Sequence, residues 1–403
     1  MRSKTLAATL GLTLSLSVLA ACGDDGESSD SVDTIVIGGT YPLTGALADD
    51  GQEMVNAILQ AVDDVNAGGG IESLGGAKVK FEYRDSTGAP EQAARNVEML
   101  IDGGAVGIIG AWLSSNTLAT TQVAERAGIP HIVDQSQAPE LIERGYKNTF
   151  RVMFDPPRVA KAANDFVELV NEEVGGNGKA VHLFEDSAFG SAQNEYFEAE
   201  ADKRGILDVQ GISYASSTTD LSAEVAQAIS SGADLLLSTG YGPDSSLLLR
   251  TLKEQGASFK AVIGVDSAGW YSNRFAADSG DLAENVFDAG SYPVDFGSED
   301  YQAFAEKYEA EYGDEPSGGG VMSYVSARVL LEAIEDAGSA DPGDIREALA
   351  SGTFDGYLLT EQEITFDDVG QNEGIEPITY QFQNGRREVV FPEEWATSKP
   401  VWP

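Results

Sequence analysis

One cysteine, Cys22, stands in 403 residues, so no disulfide can close within the chain. The two histidines, His131 and His182, sit in the apolar runs "IPHIVD" and "AVHLF". Neither has a second histidine at ligand spacing, so both read as structural and no metal site is expected. Basic residues are scarce: 25 Lys and Arg face 66 Asp and Glu, a net charge of −41. Such a field repels a phosphate backbone and excludes nucleic acid as a partner. The acidity itself reads as a heavily solvated exterior, of the kind a salty habitat favours.

Catalytic and cofactor signatures are missing as well. "IVIGGTYPLTGALADDGQ" opens like a nucleotide-binding loop, yet no lysine lies between Gly38 and Gln52. Its glycines, Gly38, Gly39 and Gly45, do not make G-x-G-x-x-G. Asp49 and Asp50 stand at the predicted helix start, where they complement the helix dipole and oppose an anion. "GVDSAG" fails as a nucleophile elbow, because Val265 and not glycine precedes Ser267 by two. No short-period repeat occurs, which excludes solenoids and propellers. The expectation is a protein without an enzyme's machinery, without cofactor and without metal.

What is present begins at the N-terminus. "MRSK" is cationic, "TLAATLGLTLSLSV" is a short apolar run, and Leu19-Ala20-Ala21-Cys22 closes it. This is a secretory signal over residues 1–21, too short and too rich in Ser and Thr for a stable spanning helix. The "LAAC" sequence resembles a bacterial lipobox, which implies lipidation at Cys22. The acidic stretch 22–33 then reads as a flexible tether. The expected location is extracytoplasmic, anchored to the cell membrane at a cell surface or in a periplasm.

Beyond the tether, strand-like runs alternate with helix patterns. "TIVIGGT" precedes a helix with Met54, Ile58, Ala61, Val62 and Val65 on one face, and "AKVKFEYRD", "AVGIIGA" and "IPHIVD" follow. Two prolines in "FRVMFDPPRV" interrupt the rhythm. It restarts with "KAVHLFED", "ILDVQGISY", "ADLLLSTGY" and "KAVIGVDS", each followed by a helix. Three helical segments come after about residue 290, and the last fifty residues alternate like antiparallel strands. The fold class is α/β, with two successive doubly wound parallel sheets whose strand ends meet over a ligand cleft. Polar loops at those ends, "GAWLSSN", "DQSQAP", "EDSAFG", "GYGPD" and "VDSAGW", suit a small polar ligand.

In its combination of "IGGTYPLTGALADDGQ", "DDVNAGGGI", "GIIGAWLSS", "IPHIVDQSQAPEL", "NTFRV", "VHLFEDSAFG" and "LLSTGYGPDSSLLLR", the chain resembles the type 1 periplasmic binding proteins of the branched-chain amino-acid, amide and urea uptake group. The likeness covers about residues 33–395. It implies two lobes joined by three crossover segments, lobe 1 from 34–152 plus about 290–355 and lobe 2 from about 153–289 plus 356–395. It further implies a monomer that closes on its ligand by a hinge motion and docks on an ABC permease.

The resemblance also implies a site. A ligand-holding serine carries over to Ser114, with Ser115 beside it. Gln135, Ser136 and Gln137 stand where small residues and a threonine are usual. Phe189 and Tyr241 match second-lobe aromatics, and Asp266 matches the acid that meets the ligand ammonium. Asp50 replaces an aromatic. Trp112 offers either a stacking surface or lobe packing. The expected ligand is amino-acid-like, a branched-chain amino acid or a relative. An amide, urea, an amine or an aromatic acid is the alternative, as is a sensing role toward a membrane signalling partner.

Overall fold

The computed structural model describes residues 34–360 and 363–402, the side chains of Asn273, Arg274 and Ala276 excepted. The signal at 1–21, Cys22 and the tether at 22–33 lie outside the described residues. In chain order the first elements are β1 (Thr34–Tyr41), α1 (Ala48–Ala67), β2 (Lys78–Asp85), α2 (Pro90–Asp102), β3 (Ala105–Gly110), α3 (Ser114–Ala127), β4 (His131–Val133), α4 (Glu140–Glu143) and β5 (Thr149–Arg151). The five strands form a parallel sheet in the order β2-β1-β3-β4-β5. Strand order reverses between β1 and β3, the place where such sheets open a crevice at their carboxyl ends.

A second sheet repeats the plan. After α5 (Pro156–Val174) come β6 (Lys179–Glu185), α6 (Ala188–Arg204), β7 (Asp208–Tyr214), α7 (Ser222–Ser230), β8 (Leu235–Thr239), α8 (Gly242–Glu254), β9 (Ala261–Val265), α9 (Asn273–Ser279) and β10 (Phe287–Ser291). The chain then returns to the first sheet with α10 (Glu299–Tyr312), α11 (Gly318–Ala337), α12 (Pro342–Ser351), β11 (Thr353–Asp355) and β12 (Glu363–Thr365). It crosses again into β13 (Ile378–Gln383) and β14 (Arg386–Phe391). The second sheet runs β14-β13-β10-β9-β8-β6-β7, parallel from β7 to β10 and antiparallel at β13 and β14. Its reversal lies between β6 and β8.

The connections 152–155, 292–298 and 366–377 carry the chain between the sheets, and Arg151 pairs with Gln371 where two of these passages run side by side. Arg151 is buried there, its Nε donating to Gln371 Oε1 at 2.6 Å and its Nη1 to the Ala138 carbonyl at 3.2 Å. Burial lowers its guanidinium to about 10, still charged at neutral pH.

Each sheet is covered by helices because its strands are apolar on both faces. On α1 the buried stripe Met54, Val55, Ile58, Ala61 and Val62 meets α11, itself buried along most of its length. The proline pair that interrupts the sequence pattern begins α5: Pro156 takes the first helical turn, where a missing N–H costs nothing. Asp155 caps it by accepting the Arg158 N–H at 3.0 Å. Both histidines are fully buried, with Nε2 bonded to Thr120 Oγ1 and Thr239 Oγ1 at 3.0 Å each. Desolvation lowers both to about 3, so they are neutral core groups. Among the described residues no helix is long and apolar enough to cross a membrane.

Candidate functional site

The two reversal points face each other, and between them lies a cavity of about 10 Å³ lined by Trp112, Ser114, Gln135, Phe189, Tyr241, Asp266, Ala268, Tyr271 and Tyr292. That volume holds about one water.

The first lobe's wall hangs on Asp134, at the end of β4. Its carboxylate accepts from Tyr41 Oη at 2.8 Å, Ser323 Oγ at 3.2 Å, and the backbone N–H groups of Gln135 at 2.9 Å and Trp112 at 3.3 Å. One buried side chain thus fixes both cavity loops of that lobe. Burial raises its pKa and the four donors oppose the rise. Trp112 is held at φ 60°, a left-handed conformation that bulky residues seldom adopt. Ser114 Oγ accepts the Gln137 N–H at 3.2 Å and opens α3.

Gln135 is fully engaged. Its amide donates to the Gly319 carbonyl at 3.2 Å and to Ser323 Oγ at 3.1 Å, and accepts from Tyr292 Oη at 3.1 Å and Tyr271 Oη at 3.3 Å. The Trp112 indole donates to Tyr271 Oη at 3.2 Å. Tyr271 and Tyr292 pack at 4.6 Å between ring centroids. This network crosses the cleft.

The second lobe presents Phe189 and Tyr241 from its own reversal point. Glu185, buried at the end of β6, accepts from Ser187 N at 2.7 Å, Ser187 Oγ at 2.6 Å and Gly190 N at 2.8 Å, which turns the chain into α6. Gly190 must be glycine, since a Cβ there would lie 2.2 Å from the Glu185 carbonyl. Asp244 accepts the Tyr241 N–H at 3.0 Å and Tyr214 Oη at 2.6 Å, and burial pushes its carboxyl up to about 7. Tyr241 meets Trp112 edge-on at 5.5 Å and Phe189 tilted at 5.5 Å, joining the lobes through rings.

Asp266 ends β9 at φ 45°, so each lobe contributes one left-handed non-glycine residue to the cavity. Its side chain is buried, with Oδ2 accepting the Gln193 amide at 2.9 Å and Oδ1 without a hydrogen-bond partner. Desolvation, then the neighbouring Asp288 carboxylate, raises its pKa well above the usual carboxylate range.

Of the residues singled out in the sequence, the cavity gathers Trp112, Ser114, Gln135, Phe189, Tyr241 and Asp266. Four lie outside its lining. Ser115 is half-buried in the first turn of α3. Ser136 turns inward, donating to the Trp112 carbonyl at 2.6 Å and pairing with Thr117 Oγ1. Gln137 is buried with neither amide atom bonded. Asp50 lines a separate groove with Asp49, Arg250 and Asp278, where it accepts Ser272 Oγ from the other lobe at 2.8 Å. Cys22 lies outside the described residues. Sequence reasoning missed Ala268, Tyr271, Tyr292, Asp134 and Gln193. Tyr271 directly follows "VDSAGW" and was within reach of a slightly wider reading, whereas Tyr292 stands on a crossover.

The periplasmic binding protein family model matches residues 34–376. Leu/Ile/Val-binding protein homolog 8 of Brucella abortus is 32% identical over 411 residues, covering 98% of this chain and 97% of that protein. Among solved structures, the branched-chain amino acid transporter substrate binding protein LivJ of Streptococcus pneumoniae, in complex with isoleucine, superimposes with a TM-score of 0.76. It is 22% identical and covers 92% of this chain and all of that one. An ABC transporter solute binding protein of R. palustris, in complex with benzoate, also gives 0.76, at 19% identity over 89% of this chain and 95% of that one. At these identities the two structures speak for the fold.

Proposed function

Since this chain belongs to the periplasmic binding protein family, among relatives of the Leu/Ile/Val-binding proteins, we propose that it is the lipid-anchored receptor of an ABC importer. In this reading it captures a small amino-acid-like ligand outside the cytoplasm by lobe closure and hands it to the permease. One observation carries the reading. A single cavity is walled by Ser114 and Gln135 from one lobe and by Phe189, Tyr241 and Asp266 from the other. A ligand touching both walls stabilises the closed form by its differential affinity for it, which is the thermodynamic requirement for a closing receptor.

The relatives of this fold take different ligands, isoleucine in the S. pneumoniae protein and benzoate in that of R. palustris. Asp266 favours an amine-bearing ligand over an aromatic acid here. An ammonium against its unpartnered, buried Oδ1 would stabilise the ionised form that burial opposes, through a charged hydrogen bond of roughly 1.5–3 kcal/mol that an aromatic acid cannot offer. Ser114 and the first turn of α3 supply the opposite wall. Cys22 would carry the anchor, and 22–33 the reach between membrane and lobes.

Native mass spectrometry of the purified protein, followed by calorimetry with the retained molecule, tests this reading. A retained small amine-bearing or amino-acid-like compound that raises the melting temperature supports it. Absence of stabilisation by amino acids, amides, urea, amines and aromatic acids alike overturns it.

A further inference from the structure

The titratable groups in and around the cavity are one-sided. Asp266, whose ionised form burial opposes, is the acidic residue among the nine that line it, and no Lys, Arg or His joins them. Further carboxylates stand directly behind the walls. Asp134 holds the Trp112 and Gln135 backbone, Asp244 holds the Tyr241 backbone, and Glu185 turns the loop that carries Phe189. Asp288 takes the Ser267 N–H at 3.0 Å, one residue from Asp266, and Asp50 bonds Ser272, next to Tyr271.

The basic groups of this region point elsewhere. Arg387 reaches the Tyr271 carbonyl from behind and lies over the Phe382 and Tyr380 rings. Arg151 is bound among the crossovers, and Arg250 borders an outer groove with Asp49, Asp50 and Asp278.

The uncharged lining has the matching character. Trp112, Phe189, Tyr241, Tyr271 and Tyr292 supply five aromatic rings, whose faces attract a cation within about 6 Å of the centroid. The polar atoms of Gln135 are already paired among Gly319, Ser323, Tyr271 and Tyr292. They add nothing for an anion. Asp266 lines the same cavity as these aromatics, and its buried Oδ1 is unpartnered. The first turn of α3, with no side-chain cap, offers a ligand carboxylate backbone donors.

Resting on the receptor reading above, we propose that the cleft selects a small organic cation, an alkylammonium-type head, over the zwitterionic amino acid that would carry the same side chain. The ammonium sits against Asp266 within the aromatic walls, where a ligand carboxylate finds no cationic side chain among the lining residues.

Calorimetry with pairs that differ by the carboxylate alone tests this: ethylammonium against alanine, isobutylammonium against valine, with choline, acetamide and benzoate alongside. The expected result is that at least one amine binds about tenfold or more tighter than its amino acid, a gap of about 1.4 kcal/mol. Asp266→Asn should abolish that preference while circular dichroism and melting show a folded protein. Tighter binding of alanine or valine, of acetamide or of benzoate overturns the inference and leaves the receptor reading intact. Binding of none of these probes overturns the inference and counts against the receptor reading as well.

Discussion

Trp112 Nε1 donates to Tyr271 Oη at 3.2 Å, and the bond joins a loop after β3 to a loop after β9. These loops belong to different sheets, so parting of the lobes would break the bond. Tyr271→Phe removes this acceptor and the Tyr271 donation to Gln135 while keeping the ring. The closed form should lose about 0.5–1.5 kcal/mol per bond against the open one. Small-angle scattering of the ligand-free variant should report a larger radius of gyration, and ligand affinity should fall by up to about tenfold. A variant with unchanged radius and unchanged affinity would show that closure does not depend on this contact.

Asp266 and Ser114 approach the cavity from opposite lobes. Asp266→Asn keeps the shape and an oxygen for Gln193 yet removes the charge; Ser114→Ala removes a hydroxyl that accepts the Gln137 N–H. Each substitution should weaken ligand binding by about tenfold or more. Melting temperature should move little for Asp266→Asn, because the substitution also removes a buried carboxylate. Titration calorimetry on both variants decides the matter, and unchanged affinity in the two together would displace the site from these residues.

Ser136 was expected beside the ligand, and the structure gives it other work. Its hydroxyl bonds the Trp112 carbonyl and Thr117, fixing the loop that presents Trp112. Ser136→Ala should cost about 1–2 kcal/mol of stability, the range for a buried hydrogen bond with its partner left unpaired. Chemical denaturation measures that loss. Affinity should fall to a lesser degree than in Ser114→Ala.

Much of this architecture was legible because parallel strands buried on both faces read as short apolar runs, as in "AVGIIGA" and "ADLLLSTGY". α5 was not, since its leading Pro156 and Pro157 read as a break; proline marks a helix start as readily as an interruption. The cavity's loops were found by their place at strand ends, and their individual residues by the family resemblance. Which way each side chain turns was not encoded at that level. Ser114 opens α3 and lines the cavity, while Ser136 lies in the loop after β4 and bonds the Trp112 carbonyl and Thr117. Tyr292 was out of reach for another reason. It sits on a crossover, where no periodicity marks a residue as cavity-facing.

Asp50 meets Ser272 at 2.8 Å outside the cavity lining, bridging α1 and the segment before α9. A contact of that kind favours closure whatever the ligand is. Asp50→Asn should therefore lower affinity for every ligand by a similar factor, at most about tenfold, and leave the rank order unchanged. A ligand panel run on wild type and variant in parallel makes the comparison. A changed rank order would bring Asp50 back into direct ligand contact.

Asp244 supplies a prediction about pH. Its carboxyl is raised from an ordinary 3.8 to about 7, chiefly by burial, although Tyr214 Oη and the Tyr241 N–H favour its charged form. A raised pKa means that the folded protein binds the proton more tightly than the unfolded chain does. Between about pH 4 and pH 7 the native state then holds more protons, and stability from this group declines as pH rises through that window. Each pKa unit corresponds to about 1.4 kcal/mol. Asp244→Asn mimics the neutral form and should be nearly silent at pH 5. At pH 8 it should raise the melting temperature relative to wild type, because the variant carries no buried charge there. The difference between the two melting curves, followed from pH 5 to pH 8, should grow with pH. A variant destabilised equally at every pH would mean instead that Asp244 is ionised throughout, held so by Tyr214 and the start of α8.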